Sequence, residues 1–540
     1  MSTRAPRLCC SPALRLRSVI SALMLVGAAS FTTGCGSSGS MSEPPAPTLT
    51  GNTSVTVMLT GMANDQLAEF DLGFQSITLT SQSGKTATLL SLPTSGPAVG
   101  AEFMHINGLA EPLVTASIPQ DIYTSATVSL SGAEFVCVDL SVAGAGGQGT
   151  LDTSVFDDLG MPASAVTVTL PSPITVTGTS MGISLDLLVS QSATYSSCYD
   201  QNGIYSYSIT PTFNLTALTL SSSPTTAANG RVTGLDGQIT AIGTAGSNIT
   251  LSIPDAEGAR PISVTFGGHT VYQGVNNFSA LASGMFVDID GTIQSDGSLL
   301  ATRVAVEDSS AADVLRGPVT QVAPSVSAFL MMPREHQGSS YVGGSEFYNS
   351  GDAALKVSGQ ITNLASLPFV PSFTTSNMVP GQEVYISVAA IPTDGSYPVA
   401  TTMTLMPQTI NGTVIASSQS GNFTDYTVSL ASYDLFPMLA VQPNQTTVEN
   451  NPSQVEVYVD SNTQLLNAQR LAAGSTLRFY GLVFNDNGTL RMDCAQVNDG
   501  VPETTASSAA QEMRLEKGTV QQIGREGSGS LQQVVSMIRR

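Results

Sequence analysis

The sequence predicts an all-β protein, with an N-terminal antiparallel β-sandwich followed by three small β-barrel repeats. Three observations lead to this fold class. Apolar and polar residues alternate with period two, turns rich in Gly, Asp and Asn separate the alternating stretches, and the second half of the chain repeats itself. Because only 11% of the residues are charged, Ser and Thr must supply much of the polar surface, as in secreted β-proteins.

The first 34 residues are predicted to be a secretion signal. Arginines at positions 4, 7, 15 and 17 precede an apolar stretch at 19–29, and no acidic residue stands among them. The stretch is too short to span a bilayer, which needs about twenty residues, and it ends in small residues as a cleavage site does. We therefore expect residues 1–34 to be removed after export.

The motif Thr32-Thr33-Gly34-Cys35 resembles the lipobox of bacterial lipoproteins. The resemblance implies that Cys35 is acylated and becomes the new N-terminus, and two acyl chains suffice for stable anchoring. The family prefers Leu where Thr32 stands, so cleavage of an ordinary secretory signal near Cys35 is the alternative. Gly36 follows the cysteine, which by resemblance favours the outer membrane, and residues 35–53 would form a flexible tether.

Residues 54–222 are predicted to form the sandwich. Alternating segments such as 134–140 (EFVCVDL) and 182–189 (GISLDLLV) indicate roughly eight short strands. Cys137 and Cys198 both fall in this domain, and an oxidising envelope would let them form a disulfide.

Three repeats are predicted at 229–310, 314–408 and 410–499, arranged as beads in a row. Each repeat has the length of a small closed barrel, an architecture that leaves no free sheet edge. Cys494, in the last strand of the third repeat, is expected to be a buried small apolar residue. The repeats share an opening glycine (Gly237, Gly317, Gly412), a glycine that starts a later strand (Gly284, Gly381, Gly474) and a pair that favours a two-residue type I′ turn (Asp296-Gly297, Asp394-Gly395, Asn487-Gly488).

The first repeat contains the motif Gly284-x-x-Val287-x-Ile289-x-Gly291 and ends in Ala-x-Arg-Val at residues 301–304. With these motifs it resembles the bacterial domain-of-unknown-function family numbered five-six-six-six. Residues 54 to 220 are similar to a second uncharacterised family, numbered four-three-eight-two, which is found in exported lipoproteins. These resemblances imply architecture and compartment, and they bring no catalytic residues with them.

A tyrosine-rich stretch provides the candidate ligand-binding residues. A two-residue hairpin at Asn202-Gly203 would put Tyr207 on the face of Cys198 and leave Tyr195 and Tyr199 outward, where they could stack on a sugar. Ordinary aromatic packing between the strands is the alternative.

No metal, cofactor or catalytic site is predicted. Asp288, Asp290 and Asp296 could approach a calcium ion, but their spacing lacks the acid cluster of a dedicated loop, and a solvated strand face is the alternative. The three histidines fall in three different predicted domains, and no nucleophile or phosphate-binding motif is present. A hydrolase with an unrecognised carboxylate pair is the remote alternative to a protein without enzymatic activity.

The predicted function is a lipid-anchored cell-envelope protein that acts as a non-catalytic structural or adhesive module, with glycan binding through Tyr195 and Tyr199 as the alternative. The net charge of −21 argues against nucleic acid as a partner, because phosphate backbones attract basic surfaces. The expected partners are the membrane, through the lipid anchor, and polysaccharide or envelope proteins. Residues 500–540 are expected to be a loosely helical or disordered tail.

Overall fold

The computed structural model describes most of residues 49–499. It leaves out residues 63–66, 94–96, 107, 142–149, 158–165, 196–206, 222–228, 244–245, 256–257, 309–312, 325–326, 338–345, 350, 352, 360–363, 389–397, 432–433, 441–452 and 467–470. Residues 1–48 and 500–540 also lie outside the described residues. The signal peptide, Cys35 and the C-terminal tail therefore stay predictions.

The N-terminal domain consists of two facing sheets and a small hairpin. One sheet has the order β5-β1-β10-β13-β8, the other has the order β3-β2-β6-β7 with β4 beside β2 and β9 beside β6, and β11 pairs with β12. The elements are β1 (Asn52–Met62), β2 (Leu67–Ser81), β3 (Thr86–Ser91), β4 (Val99–Glu102), β5 (Glu111–Pro119), β6 (Ile122–Ser141), β7 (Thr150–Asp157), β8 (Thr167–Thr169), β9 (Ile174–Thr175), β10 (Ser180–Leu188), α1 (Val189–Ser192), β11 (Ala193–Tyr195), β12 (Tyr207–Ile209) and β13 (Thr212–Leu218).

The predicted sandwich is confirmed, and one apolar core fills the space between its sheets. Most neighbouring strands are antiparallel, while the β1–β10 and β8–β13 pairs are parallel. The alternating residues Val55, Val57 and Leu59 of β1 point into this core together with Phe74 and Phe213, whose ring centroids lie 6.0 Å apart. Each fully buried side chain of this size contributes about 1.5–3 kcal/mol.

The second half of the chain builds three sheets from consecutive segments. Repeat 1 contains β14 (Arg231–Ile242), β15 (Asn248–Ile253), β16 (Arg260–Gln273), β17 (Phe286–Ile293) and β18 (Leu299–Asp308), with a 3-10 turn at Phe278–Ala280. Repeat 2 contains β19 (Asp313–Ala323), β20 (Ala328–Met331), β21 (Glu335–Gln337), β22 (Glu346–Asn349), β23 (Ala354–Val357), β24 (Glu383–Val388) and β25 (Ala400–Leu405), with a 3-10 turn at Leu364–Ser366. Repeat 3 contains β26 (Gln408–Ser420), β27 (Phe423–Leu430), α2 (Leu435–Ala440), β28 (Gln454–Val459), β29 (Gln464–Leu466), β30 (Thr476–Asp486) and β31 (Thr489–Asp499).

Repeats 1 and 3 are closed five-stranded barrels with the same strand order. In repeat 1 the order is β14-β15-β16-β18-β17, and in repeat 3 the equivalent ring closes through the parallel β28–β31 pair. The described strands of repeat 2 form an open sheet of order β22-β20-β19-β24-β25-β23, with β21 on β19. Its ring is interrupted because the third strand is divided: β22 pairs with the second strand, and β23 pairs with the last.

The shared glycines mark one backbone device that occurs in all three repeats. The first strand has a bulge directly after Ile239, Val319 and Val414. The carbonyl oxygens of these residues accept from the N–H groups of Gly284, Gly381 and Gly474 at 2.8, 2.7 and 2.7 Å. Those glycines have φ values of +92°, +93° and +89°, a conformation that residues with a side chain rarely adopt. The three predicted repeats therefore share this backbone arrangement, although the described strands close into a barrel only in repeats 1 and 3.

The closing turns of the repeats differ from one another. Asn487 and Gly488 both have positive φ, 51° and 86°, and they join β30 to β31 in the predicted two-residue turn. In repeat 1 only Gly297 of the turn pair has positive φ, and Gln294 pairs with Ser298 around a three-residue loop, so the two-residue prediction is wrong there. The Asp394-Gly395 turn lies outside the described residues.

The sandwich and the repeats pack into one compact unit, so the prediction of beads in a row is wrong. Met58 of the sandwich lies in the core of repeat 1, and Phe286 of repeat 1 packs with Tyr385 of repeat 2. A further apolar cluster joins Ala68, Val136, Met332, Leu435 and Leu439, which come from the sandwich, repeat 2 and repeat 3. These contacts bury apolar surface between the domains, and they bring polar groups of different domains together.

Among the residues that the structure describes, no helix combines the length and the apolar character needed to cross a membrane.

Candidate functional site

A cluster of nine ionisable residues lies where the sandwich, repeat 1 and repeat 2 meet. We call it the charged junction. All members except the partly exposed Arg334 are buried. Because burying an isolated charge costs several kcal/mol, such residues must be paired with one another. The members are Glu102, His105 and Glu111 of the sandwich, Asp236 and Arg260 of repeat 1, and Arg316, Arg334, Glu335 and Glu383 of repeat 2.

Glu102 fixes the loop that carries His105. Its carboxylate accepts hydrogen bonds from the backbone N–H groups of Phe70 at 3.0 Å, Met104 at 2.8 Å and His105 at 2.8 Å. The Nδ1 atom of His105 lies 2.9 Å from the same carboxylate. Burial alone would raise the pKa of Glu102, but the hydrogen bonds and the charge of His105 outweigh burial and lower it. The imidazole ring is therefore held in a single orientation.

The other nitrogen of His105 faces two carboxylates. Nε2 lies 2.8 Å from Oε1 of Glu111 and 3.1 Å from Oε1 of Glu335, which belongs to repeat 2. Burial would lower the pKa of His105, but the negative charges of Glu335 and Glu111 raise it well above its usual value. Burial is outweighed at Glu111 as well, where His105 and Arg260 lower the pKa to about 2. The site can therefore hold a proton or another cation between its carboxylates.

The arginines connect the three domains in pairs. Arg260 of repeat 1 binds Oε2 of Glu111 in the sandwich, and Arg316 of repeat 2 binds Asp236 of repeat 1. Arg334 of repeat 2 donates from Nε to the carbonyl oxygen of Ala68 in the sandwich. Each pair of domains is thus joined by at least one buried or partly buried polar contact.

A small pocket reaches the charged junction beside the helix of repeat 3. His105, Arg316, Arg334 and Glu383 contribute to its lining, as does Phe436 of α2. Its volume of about 40 Å³ leaves room for a few water molecules only. The pocket gives solvent and small ions access to the junction, and it is too small for a polymer.

A second group of carboxylates lies in the sandwich next to the junction. Glu69 and Asp71 follow one another on the same face of β2, and both are fully buried. Burial raises the pKa of Glu69 well above its usual value, and burial together with the charge of Glu69 does the same for Asp71. Glu134 is the strand partner of Asp71, which increases the negative charge there. Burial therefore favours the protonated form of the Glu69–Asp71 pair.

The protonated pair predicts a pH-dependent stability. A carboxyl group whose pKa is raised by folding binds more protons in the folded state than in the unfolded state, so stability falls as the pH rises above the unfolded value. Gln mimics the protonated acid, and Glu69→Gln should therefore stabilise the protein by about 1–2 kcal/mol at pH 8. The gain should disappear near pH 4. Urea unfolding of both proteins across this range checks the expectation, and equal pH dependence of the two would contradict it.

The structure places Tyr195 against the core. Tyr195 pairs with Tyr207 across β11 and β12, and their rings lie 5.6 and 6.3 Å from the ring of Phe135. The predicted turn at Asn202-Gly203 would have put Cys198 opposite Tyr207, so the predicted register is wrong. Tyr195 is instead the strand partner of Tyr207, and both rings pack on Phe135; the Asn202-Gly203 pair itself lies outside the described residues. The outward position predicted for Tyr195 is wrong too, because the ring is partly buried against Phe135.

Three of the predicted site residues, Cys35, Cys198 and Tyr199, lie outside the described residues. Cys137 is buried and disulfide-bonded, and its predicted pairing with Cys198 stays a prediction. Cys494 is free and 4% exposed, as expected of a buried small residue.

The aspartates considered for calcium have protein partners. Asp288 is fully buried and binds Arg303, and Asp290 lies 2.8 Å from the same guanidinium group. Asp296 accepts hydrogen bonds from the N–H and hydroxyl groups of Ser298 at 3.0 and 2.7 Å. A solvated strand face is therefore a wrong description of Asp288, whose charge lies inside repeat 1.

The charged junction is the functional candidate that sequence reasoning missed. The sequence spacing of the ionisable residues gives no signal for Glu335, because this residue lies in β21 of repeat 2. The only local hint is that Glu102 and Glu111 stand close to His105 in the segment EFMHINGLAE.

Fold and site together define a multidomain all-β protein in which a β-sandwich is joined to barrel repeats through buried ion pairs. Residues 236–305 match a family model described as Domain of unknown function (DUF5666), which confirms the resemblance predicted for the first repeat. No curated protein matches the chain. The similarity of residues 54–220 to a second family stays a prediction.

Proposed function

We propose that this chain is a lipid-anchored protein of the bacterial cell envelope that acts as a structural or adhesive module without catalysis. The observation that carries the proposal is the charged junction, whose ion pairs join three domains into one body. A stiff body on a flexible tether suits a protein that holds a partner at a distance from the membrane.

The sequence and one feature of the fold support export from the cell. Residues 1–34 have the pattern of a secretion signal, and Cys35 stands where a lipobox places its acylated cysteine. Cys137 is disulfide-bonded, and disulfides persist mainly in oxidising compartments. The outer membrane is the proposed destination because Gly36 follows the cysteine.

The proposed partners are polysaccharide or proteins of the envelope, with no role for nucleic acid. A role without catalysis is supported by the junction, where Glu102, Glu111 and Asp236 each bind a cationic side chain. A glycan site that uses Tyr195 finds less support, because that ring packs on Phe135.

Replacement of the proposed lipid attachment site tests the anchor. We expect Cys35→Ser to move the protein from the membrane fraction to the soluble fraction and to abolish metabolic labelling with an alkyne-bearing fatty acid. Cys494→Ala is the matched control, since Cys494 is a free, buried cysteine and its replacement should leave fractionation and labelling unchanged. Membrane retention and labelling of Cys35→Ser would contradict the proposal.

A further inference from the structure

We propose that His105, Glu111 and Glu335 form a binding site for one divalent transition metal ion, with zinc as the best-fitting metal. Nε2 of His105, one oxygen of Glu111 and one oxygen of Glu335 lie within 4.8 Å of one another. The first two residues belong to the sandwich and the third to repeat 2, so a bound ion would clamp two domains together.

The neighbours of His105 fix its ring so that Nε2 is directed at the proposed metal position. In metal sites the second nitrogen of a histidine usually donates its hydrogen to a carboxylate, which fixes the ring and its tautomer. Nδ1 of His105 lies 2.9 Å from Oε2 of Glu102, and three backbone N–H groups hold that carboxylate. With the hydrogen on Nδ1, the lone pair of Nε2 faces Glu111 and Glu335.

The arginine next to the site leaves the ligand oxygen of Glu111 free. Arg260 binds Oε2 of Glu111, whereas Oε1 of the same carboxylate faces His105. Arg260 thereby orients the carboxylate as the partners of metal ligands commonly do.

The charge of the junction also favours a divalent cation. Its nine members include five carboxylates and three guanidinium groups, so acidic groups outnumber the arginines, and a metal ion with neutral His105 would balance two ionised carboxylates.

The ligand types point to zinc. Imidazole and carboxylate are common zinc ligands, and zinc in proteins is usually four-coordinate. Three protein ligands leave one position, which a water molecule from the small pocket beside His105 would fill. An all-oxygen site would suit calcium or magnesium better.

Metal titration of the full chain, purified without a histidine tag and stripped with a chelator, tests the site. We expect calorimetry to show one equivalent of Zn²⁺ bound, and Co²⁺ to give the visible absorption of a four-coordinate nitrogen and oxygen site. Glu335→Gln, which keeps the shape of the side chain, should weaken binding at least 100-fold. Glu102→Gln should weaken it by about 10–100-fold, as expected of a residue that positions a ligand.

His269→Asn is the matched control, because His269 is an exposed histidine of repeat 1, and it should bind Zn²⁺ like the unmodified chain. The folded, unmodified chain itself decides the question even if a variant fails to fold. Absence of Zn²⁺ and Co²⁺ binding would overturn the proposal, as would a Co²⁺ spectrum or a Zn²⁺ affinity that Glu335→Gln leaves unchanged. These readouts do not depend on the proposed membrane anchor.

Discussion

Gly317→Ala is expected to destabilise the protein by about 3–5 kcal/mol. A Cβ atom at this position would lie 1.9 Å from the carbonyl oxygen of Met332 and 2.9 Å from its carbonyl carbon. The backbone of Met332 cannot retreat easily, because its N–H group donates to the carbonyl oxygen of Pro318 at 3.0 Å. Arg334 and Glu335 of the charged junction follow closely in the sequence, so a shift of the Met332 backbone would separate their ion pairs as well.

Denaturant unfolding of Gly317→Ala measures this loss. Gly268→Ala is the matched control, because a Cβ atom there meets no atom within 4 Å, and we expect its effect to stay within about 0.5 kcal/mol. Equal stability of the two variants would contradict the expectation that the close approach of β19 to Met332 requires glycine at position 317. Opening glycines of the other repeats should behave similarly, since a Cβ atom at Gly237 or Gly412 would lie 2.6 Å from a carbonyl oxygen.

Arg260→Met is expected to cost about 3–5 kcal/mol, because it removes one of the two cationic partners of a buried carboxylate and leaves Glu111 with His105. The guanidinium group of Arg260 is 1% exposed and binds Glu111, which is 2% exposed. The additional change Glu111→Gln removes the buried charge that has lost Arg260 and should recover a large part of the loss. Lys85→Met is the control for removal of a cation at the surface, and its effect should stay within about 0.5 kcal/mol.

Denaturant midpoints of the single, double and control variants give the required free energies. Recovery in the double variant separates the ionic contribution from packing, because Met keeps much of the aliphatic volume of Arg. A loss no larger than that of Lys85→Met would contradict the view that the Arg260–Glu111 pair joins the sandwich to repeat 1.

The repeats could be predicted from sequence because local backbone geometry dictates their glycines. Gly284, Gly381 and Gly474 recur because each occupies a positive-φ position, and the N–H group of each donates the same hydrogen bond to the first strand of its repeat. The turn at Asn487-Gly488 follows from the same rule. Spacing alone could not show that repeat 2 divides its third strand into β22 and β23, since strand pairing depends on partners far along the chain.

The charged junction could not be predicted because its members meet only after the domains pack. His105 lies in the sandwich, Arg260 in repeat 1 and Glu335 in repeat 2, and no periodic pattern connects them. The orientation of Tyr195 could not be predicted for a related reason, because its ring packs on Phe135 of β6, which lies 60 residues earlier in the chain.

Hydrogen exchange of the full chain tests most directly whether the charged junction joins the domains. Amides of β1 in the sandwich, β15 in repeat 1 and β19 in repeat 2 should be strongly protected in the unmodified protein. In Arg260→Met we predict that all three sets lose protection together, by roughly 100-fold or more. Loss confined to the strands next to Arg260, with β19 unchanged, would show that the domains unfold independently and would contradict the account.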